Sequence, residues 1–319
     1  MHTYRTVLAL FNDAEDELNY SPLLMGIPGI IRMVTANGFT ASLEGLRQIG
    51  ISPALTILSA RLYPGGRTDA VAHLRRLFPE TEFLLITTTA DPFPALQPLA
   101  ADRVRHLAIN PVTGGDESGL SRAQFVRAVA KLVEGEPWRM SDYLPPGVTI
   151  HEHVIASSTE KETLIARLEA AIRGDGEELE LLRQRAALLA DELLENAMYG
   201  APRGADGASL YRKGEPRTVH DWESIVFRFG FDGETLAMEI VDGWGSLSAD
   251  TVLEHLGKNL EEVDFAGDTG GRGFFIIWRF LDHFHVTISP GRQTVVGGRL
   301  NVSSSLDLEQ PKGFHISQQ

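Results

Sequence analysis

Three groups of residues in the second half of the chain have types and spacings that could do chemistry. Glu192 and Asn196 stand four apart in Leu189-Ala-Asp-Glu192-Leu-Leu-Glu-Asn196-Ala-Met-Tyr-Gly200. On a helix they stack on one side. A carboxylate and an amide so placed can orient a water or hydroxyl and complete a metal's oxygen shell. Mg²⁺ typically takes one or two protein oxygens and fills the rest with phosphates and water. The plain alternative is a solvated helix face. The second group is Ile240-Val-Asp242-Gly243-Trp244-Gly245-Ser246. An apolar strand ending in a carboxylate sets an acceptor where a planar ring with an exocyclic amine could bind, although Asp-Gly also simply ends strands. The third is Gly267-Asp-Thr269-Gly270-Gly271-Arg272-Gly273, which runs into the apolar Phe274-Phe-Ile-Ile-Trp278. A Gly-rich loop entering a helix leaves free backbone N–H groups at the positive end of the helix dipole, an arrangement that suits anions. Arg272 adds a charge. A bare flexible connector is the alternative.

The elements that must position these groups follow from periodicity. In the second half the pattern predicts a strand over 148–156 and helices over 159–173 and 177–199. Ser157, Ser158 and Thr159 followed by Glu160 and Glu162 read as an N-terminal cap. A polar, mobile loop is expected over 202–219, then alternating strands at 223–231 and 235–242 joined by Asp232-Gly233, a hairpin signal. A short helix with an acidic loop follows over 247–267. A helix over 273–284 and a hairpin of 285–289 with 295–303 close the pattern, and the tail from 306 is expected to be poorly ordered. The first half alternates apolar strands (5–11, 30–36, 54–60, 82–88, 103–109) with amphipathic stretches (39–49, 67–78, 94–101, 121–133). That rhythm predicts an α/β fold with a doubly wound parallel sheet. Pro22, Gly26, Pro28 and Gly29 argue against a full helix over 14–29. The helix-breaking stretch 135–147 marks a boundary between two domains, 1–140 and 148–305, joined by a linker at 141–147.

At 319 residues the chain has room for two domains. A net charge of −14 repels phosphate backbones, so nucleic acid is not an expected partner. With no cysteine there is no disulfide framework and no thiolate metal site. No apolar run reaches the ~18 residues of a membrane span. No secretory signal is legible, and a cytoplasmic location is expected. His151-Glu-His153 and His283-Phe-His285 each put two imidazoles on one strand face. Two ligands per pair are few for a metal, and ordinary strand surface is the expected state.

In order, the three groups resemble the GHKL ATPase superfamily, in particular its anti-sigma-factor serine kinases. The resemblance spans about 148–303 and implies an α/β sandwich with a mixed sheet that binds ATP and Mg²⁺. It implies Glu192 as catalytic base, Asn196 as Mg²⁺ ligand and Asp242 as the acceptor of the adenine amine. Gly243 and Gly245 would form the first glycine box; Thr269, Gly270, Gly271, Arg272 and Gly273 would close over the phosphates. The family's first box is Asp-x-Gly-x-Gly. Here Trp244 and Ser246 replace its glycines, so Trp244 could stack on adenine or fill the pocket. The implied activity is phosphoryl transfer to a Ser/Thr of a protein partner: a STAS-type anti-sigma antagonist, or a sigma factor. A homodimer is also compatible.

The first half resembles a response-regulator receiver, a flavodoxin-like fold, with its chemistry missing. Asn12-Asp13 keeps half of the acidic pair, Ser59-Ala60 stands at the acceptor aspartate, and Asn110-Pro111 at the Lys-Pro position. Such a pseudo-receiver implies a docking or dimerisation surface. The competing expectation for the whole chain is a non-catalytic adaptor whose degenerate nucleotide pocket acts as a switch.

Overall fold

In a computed structural model the chain divides into two compact units, Met1–Pro137 with Pro311–Phe314 and Trp138–Gln310 with His315–Gln319. The described residues are 5–11, 13–27, 30–37, 52–62, 69–88, 96–109, 120–257, 272–303 and 312–319. The class is α/β, with parallel pairing in the first unit and antiparallel pairing in the second. Among the described residues no helix is long and apolar enough to cross a membrane.

The first unit runs β1 (Arg5–Phe11), α1 (Ala14–Met25), β2 (Ile30–Asn37), β3 (Leu55–Ser59), α2 (Asp69–Leu77), β4 (Glu82–Thr87), α3 (Leu96–Ala101), β5 (His106–Ile109) and α4 (Arg122–Glu134). Its strands lie in the order β2-β1-β3-β4-β5. Val7 to Phe11, Leu55 to Ser59 and Phe83 to Thr87 are buried in unbroken runs, as strands covered on both faces must be. Ser121 and Gln124 cap α4 reciprocally, and Gly135 at φ 74° ends it. Contrary to expectation, α1 is a full helix. Asp13 caps it through the backbone N–H groups of Glu15 and Asp16. Pro22 falls in the last turns, where it removes one hydrogen bond, while buried Tyr20 stacks on Phe11 at 6.0 Å and holds the helix down. The helix expected over 39–49 lies outside the described residues.

The second unit runs β6 (His151–Val154), α5 (Lys161–Ala171), α6 (Glu177–Glu195), β7 (Val226–Phe231), β8 (Thr235–Asp242), α7 (Ala249–Leu256), α8 (Arg272–Phe280), β9 (His283–Ser289), β10 (Gln293–Asn301) and, from His315 on, β11 (Gly313–Gln318). The strand order is β11-β9-β10-β8-β7-β6. The Asp232 carboxylate accepts from the N–H groups of Glu234 and Thr235 at 2.9 and 2.7 Å, and Gly233 takes φ 108° to close the β7–β8 hairpin. Helix α6 packs on α5, α8, β8 and β10. Its buried side includes Leu182, Ala186, Leu189, Ala190, Leu193 and Leu194.

Three sequence expectations change. The helix over 273–284 stops at Phe280, because His283, Phe284 and His285 belong to β9. The tail holds a strand, β11, in which Phe314 and Ile316 are buried. The loop over 202–219 is tethered: Ser209 Oγ donates to Tyr199 O at 2.7 Å, Tyr199 Oη to Glu215 O at 2.6 Å, and Val219 N to Ala156 O at 2.9 Å.

The histidines of β9 also depart from expectation, since His283 and His285 are buried rather than at the surface. Tyr143 Oη lies 2.8 Å from His283 Nδ1 and 3.3 Å from His285 Nδ1. His285 Nε2 lies 3.3 Å from Glu239 Oε2, which also accepts from Met140 N at 2.9 Å. Burial, then the charges of His315, Arg299 and His285, hold His283 well below its ordinary pKa. Burial opposes ionisation of Glu239, but His285, Met140 N–H and Arg228 outweigh it and hold its pKa at about 2. Both groups therefore bind fewer protons folded than unfolded in acid. Stability contributed by His283 is complete above about pH 6.5 and lost below it, at up to about 1.4 kcal/mol per pH unit. The Glu239 contribution is complete above about pH 4.5 and lost toward pH 2. Asp242, also buried, has its pKa raised to about 6 and so titrates in the opposite sense; urea unfolding of an Asp242→Asn variant, which lacks that titration, should show falling stability from pH 7.5 to 5.5. A flat profile contradicts the buried neutral histidine.

Candidate nucleotide site

The end of α6 opens the site. At Asn196–Gly200 the helix widens into a π turn, closed by Ala201 N donating to Asn196 O at 2.7 Å. Such turns recur at functional sites. This one lines a cavity of about 220 Å³ with Asn196, Ala197, Gly200 and Ala201. Leu193, Ile240, Phe274, Ile277 and Val296 supply apolar walls, and Asp242 closes one side from the end of β8. Arg203, Lys213 and His255 add basic groups. The lining is largely apolar with a few polar groups, the usual composition of a small-molecule site.

Asp242 is 5% exposed and has no ion pair among the described residues. Trp244 N donates to its Oδ1 at 2.9 Å. Burial pushes its pKa up to about 6, with the N–H groups of Trp244 and Gly245 and the Thr294 hydroxyl pulling the other way. Burial outweighs these donors, so the carboxylate gains from a ligand that brings a further N–H group.

Glu192 and Asn196 do come together, and with them Gly273. A Cβ on Gly273 would overlap the Glu192 carboxylate and sit 3.1 Å from the Asn196 amide, so a larger residue in this first turn of α8 would have to displace the Glu192 side chain. Glu192 is 8% exposed and is not among the residues lining the cavity. Its charge lies against the start of α8, where a helix favours an anion. Asn196 does line the cavity, and its Nδ2 is buried with no hydrogen-bond partner among the described residues.

The other expected site residues are placed differently. Gly243 and Gly245 do not line the cavity. Gly243 N donates to Glu223 O at 2.6 Å, and a Cβ there would come within 2.9 Å of Trp222 O. Gly245, at φ 56°, abuts Ser289 O and Arg292 N. These two glycines let the turn pack on backbone. Trp244 lies 4.9 Å from Trp222, ring to ring, and does not enter the cavity lining. Thr269, Gly270 and Gly271 lie outside the described residues, and Arg272 is the first residue of α8.

The sequence reading missed Arg203, Lys213 and His255. The signal for the first two was their place, basic residues in the segment directly after Glu192 and Asn196. It also missed the buried ion pair of Arg217 with Glu223, which fixes that segment. Among the described residues no group of three or more His, Cys, Asp or Glu could hold a metal.

In the first unit, Ser59 at the end of β3 donates to Asp16 Oδ2 at 3.1 Å. Arg61 lies 3.7 Å from Asp16 and 3.9 Å from Asp13. Asn12, Asn110 and Pro111 lie outside the described residues.

No protein-family model matches the chain, and no curated protein matches it. Among solved structures, a pilus assembly-related protein from Burkholderia pseudomallei aligns at 17% identity over 44% of this chain and 96% of its own. Its TM-score is 0.33, and a superposition that loose supports no statement about fold or function.

Proposed function

We propose that the chain is an ATP-binding signalling regulator whose second unit holds adenine against Asp242 in a GHKL-type pocket. One observation carries the reading: a buried carboxylate with a pKa of about 6 closes an apolar cavity that also carries Arg203 and Lys213. The acid suits an exocyclic amine, the walls suit a purine, and the cations suit phosphates. Asn196 lines the cavity and would offer its Oδ1 to the Mg²⁺ that accompanies ATP, where one protein oxygen is enough. Bound Mg²⁺ supplies charge neutralisation at the phosphates. In the kinase form of the reading, Glu192 orients or deprotonates the Ser/Thr hydroxyl of a STAS-type antagonist or a sigma factor.

Titration calorimetry with Mg·ATP separates these roles. Asn196→Ala should weaken Mg·ATP and remove much of the metal dependence of binding. Glu192→Ala should leave affinity near parental and slow transfer to the partner about 10²–10⁴-fold, the range of a positioned base. Binding that neither substitution changes would count against the pocket. A second reading, the non-catalytic switch, draws on the packing of Glu192 against Gly273 and its place outside the cavity lining. It predicts ATP binding with no phosphorylated partner.

For the first unit we propose a receiver-like, phosphorylation-incompetent domain used for docking or dimerisation. The strand order 2-1-3-4-5 is that of flavodoxin-like sheets. Ser59 stands at the acceptor position, and Arg61 lies beside the carboxylates of Asp13 and Asp16. Incubation with a small-molecule phosphodonor and Mg²⁺ should leave the intact mass unchanged. A stoichiometric phosphate adduct on this unit would overturn the proposal.

A further inference from the structure

A second cavity, of about 720 Å³, opens between β6, the β7–β8 turn and the end of α5, with His151, His153, Arg167 and Arg173 in its lining. The chain carries 43 acidic against 29 basic side chains, so an arginine here would ordinarily find a carboxylate. These two do not. Arg167 Nη1 donates to His153 Nδ1 at 3.3 Å, and neither arginine has an ion pair among the described residues. The acid in the lining, Asp232, spends an oxygen on the N–H groups of Glu234 and Thr235. Glu152, between the two histidines, is paired with Arg228. Both imidazoles stack on Phe229, at 4.9 and 5.8 Å, which fixes their rings beside the opening. Phe231 adds an apolar surface.

We propose that this cavity binds a phosphate-bearing small molecule, with Arg167 and Arg173 holding the phosphate oxygens and the His153 ring beside them. Guanidinium groups match phosphate oxygens in fork geometry, and such charge-assisted bonds are the strong ones. The volume exceeds that of a phosphate ion, which leaves room for an organic part against Phe231. Without a ligand, burial, Arg167 and His151 keep the pKa of His153 below its ordinary value. A bound dianion reverses that field, so binding takes up protons and tightens as pH falls.

Inorganic pyrophosphate is the probe, in the full chain carrying Arg203→Gln and Lys213→Gln, which removes the cations of the other cavity so that the result stands apart from the nucleotide reading. NMR of the histidine ring protons at 150 mM NaCl should show the His153 pKa rising by about one unit with pyrophosphate. His153→Gln identifies the signal. Calorimetric affinity should tighten about tenfold from pH 8 to pH 6. Paired Arg167→Gln and Arg173→Gln should abolish binding, and Arg167→Lys should keep part of it. A His153 pKa indifferent to pyrophosphate, binding that survives loss of both arginines, or binding of citrate in its place would overturn the proposal.

Discussion

Replacing Glu223 by alanine is expected to destabilise the protein by about 3–5 kcal/mol, the usual effect of removing one partner of a buried ion pair. Glu223 is fully buried, and both of its oxygens accept from Arg217. Arg217 donates as well to Met198 O in the π turn and lies over the Tyr211 ring at 3.8 Å. His220 N gives Glu223 a further bond at 2.8 Å. Without the carboxylate, a guanidinium whose side chain is 6% exposed loses its counter-charge in the interior. The damage should reach the cavity, because Arg217 ties the segment bearing Arg203 and Lys213 to the turn bearing Asn196. Urea unfolding should show the stability loss, and limited proteolysis should cut between 201 and 219 faster than in the parent. A loss under about 1 kcal/mol with unchanged proteolysis would show that the pair anchors nothing.

Asp242→Asn should act in opposite directions on stability and binding. An acid raised from 3.8 to about 6 binds its proton more tightly folded than unfolded. Its effect on stability is neutral below about pH 4, becomes unfavourable as pH rises through 6, and is complete above that. The cost at neutral pH is about 3 kcal/mol. Asparagine removes the charge and keeps an oxygen for the Trp244 N–H, so the free protein should gain up to that amount. ATP binding should weaken by roughly 1–3 kcal/mol, the loss of a buried charged hydrogen bond. In the parent, ATP affinity should be flat above about pH 7 and fall toward tenfold per unit below pH 6, because the proton must leave before the carboxylate can accept an amine. A destabilised Asp242→Asn protein with parental ATP affinity would contradict both arms.

Much of the architecture was legible because it is local. The apolar runs of β1 and β4, the amphipathic stretch that becomes α4 and the Asp232-Gly233 hairpin state their elements in a few residues. What was not legible depends on distant neighbours. Alternation places His283 and His285 on one face of β9, but Tyr143 and Glu239, far off in sequence, are what make that face interior. Ile316 lies in a strand beside β9 that a short polar tail does not announce. Arg217 and Glu223 sit six apart in a segment with no period, so their pairing is a tertiary fact. In the site, the i, i+4 spacing correctly stacks Glu192 and Asn196. It is silent on which of them faces the cavity, and α8 decides that by covering Glu192. Gly243 and Gly245 illustrate the same limit, since their φ and close contacts serve the backbone of the turn.

The most direct measurement is a calorimetric comparison of Mg·ATP and Mg·GTP on the full chain at pH 7.5. Asp242 offers an acceptor to the amine of adenine, and guanine presents an oxygen there, an acceptor facing an acceptor. ATP should bind at one site per chain, and GTP at least about tenfold more weakly, the equivalent of roughly 1.4 kcal/mol or more. Equal affinities, or no heat from ATP at all, would contradict the adenine pocket at Asp242.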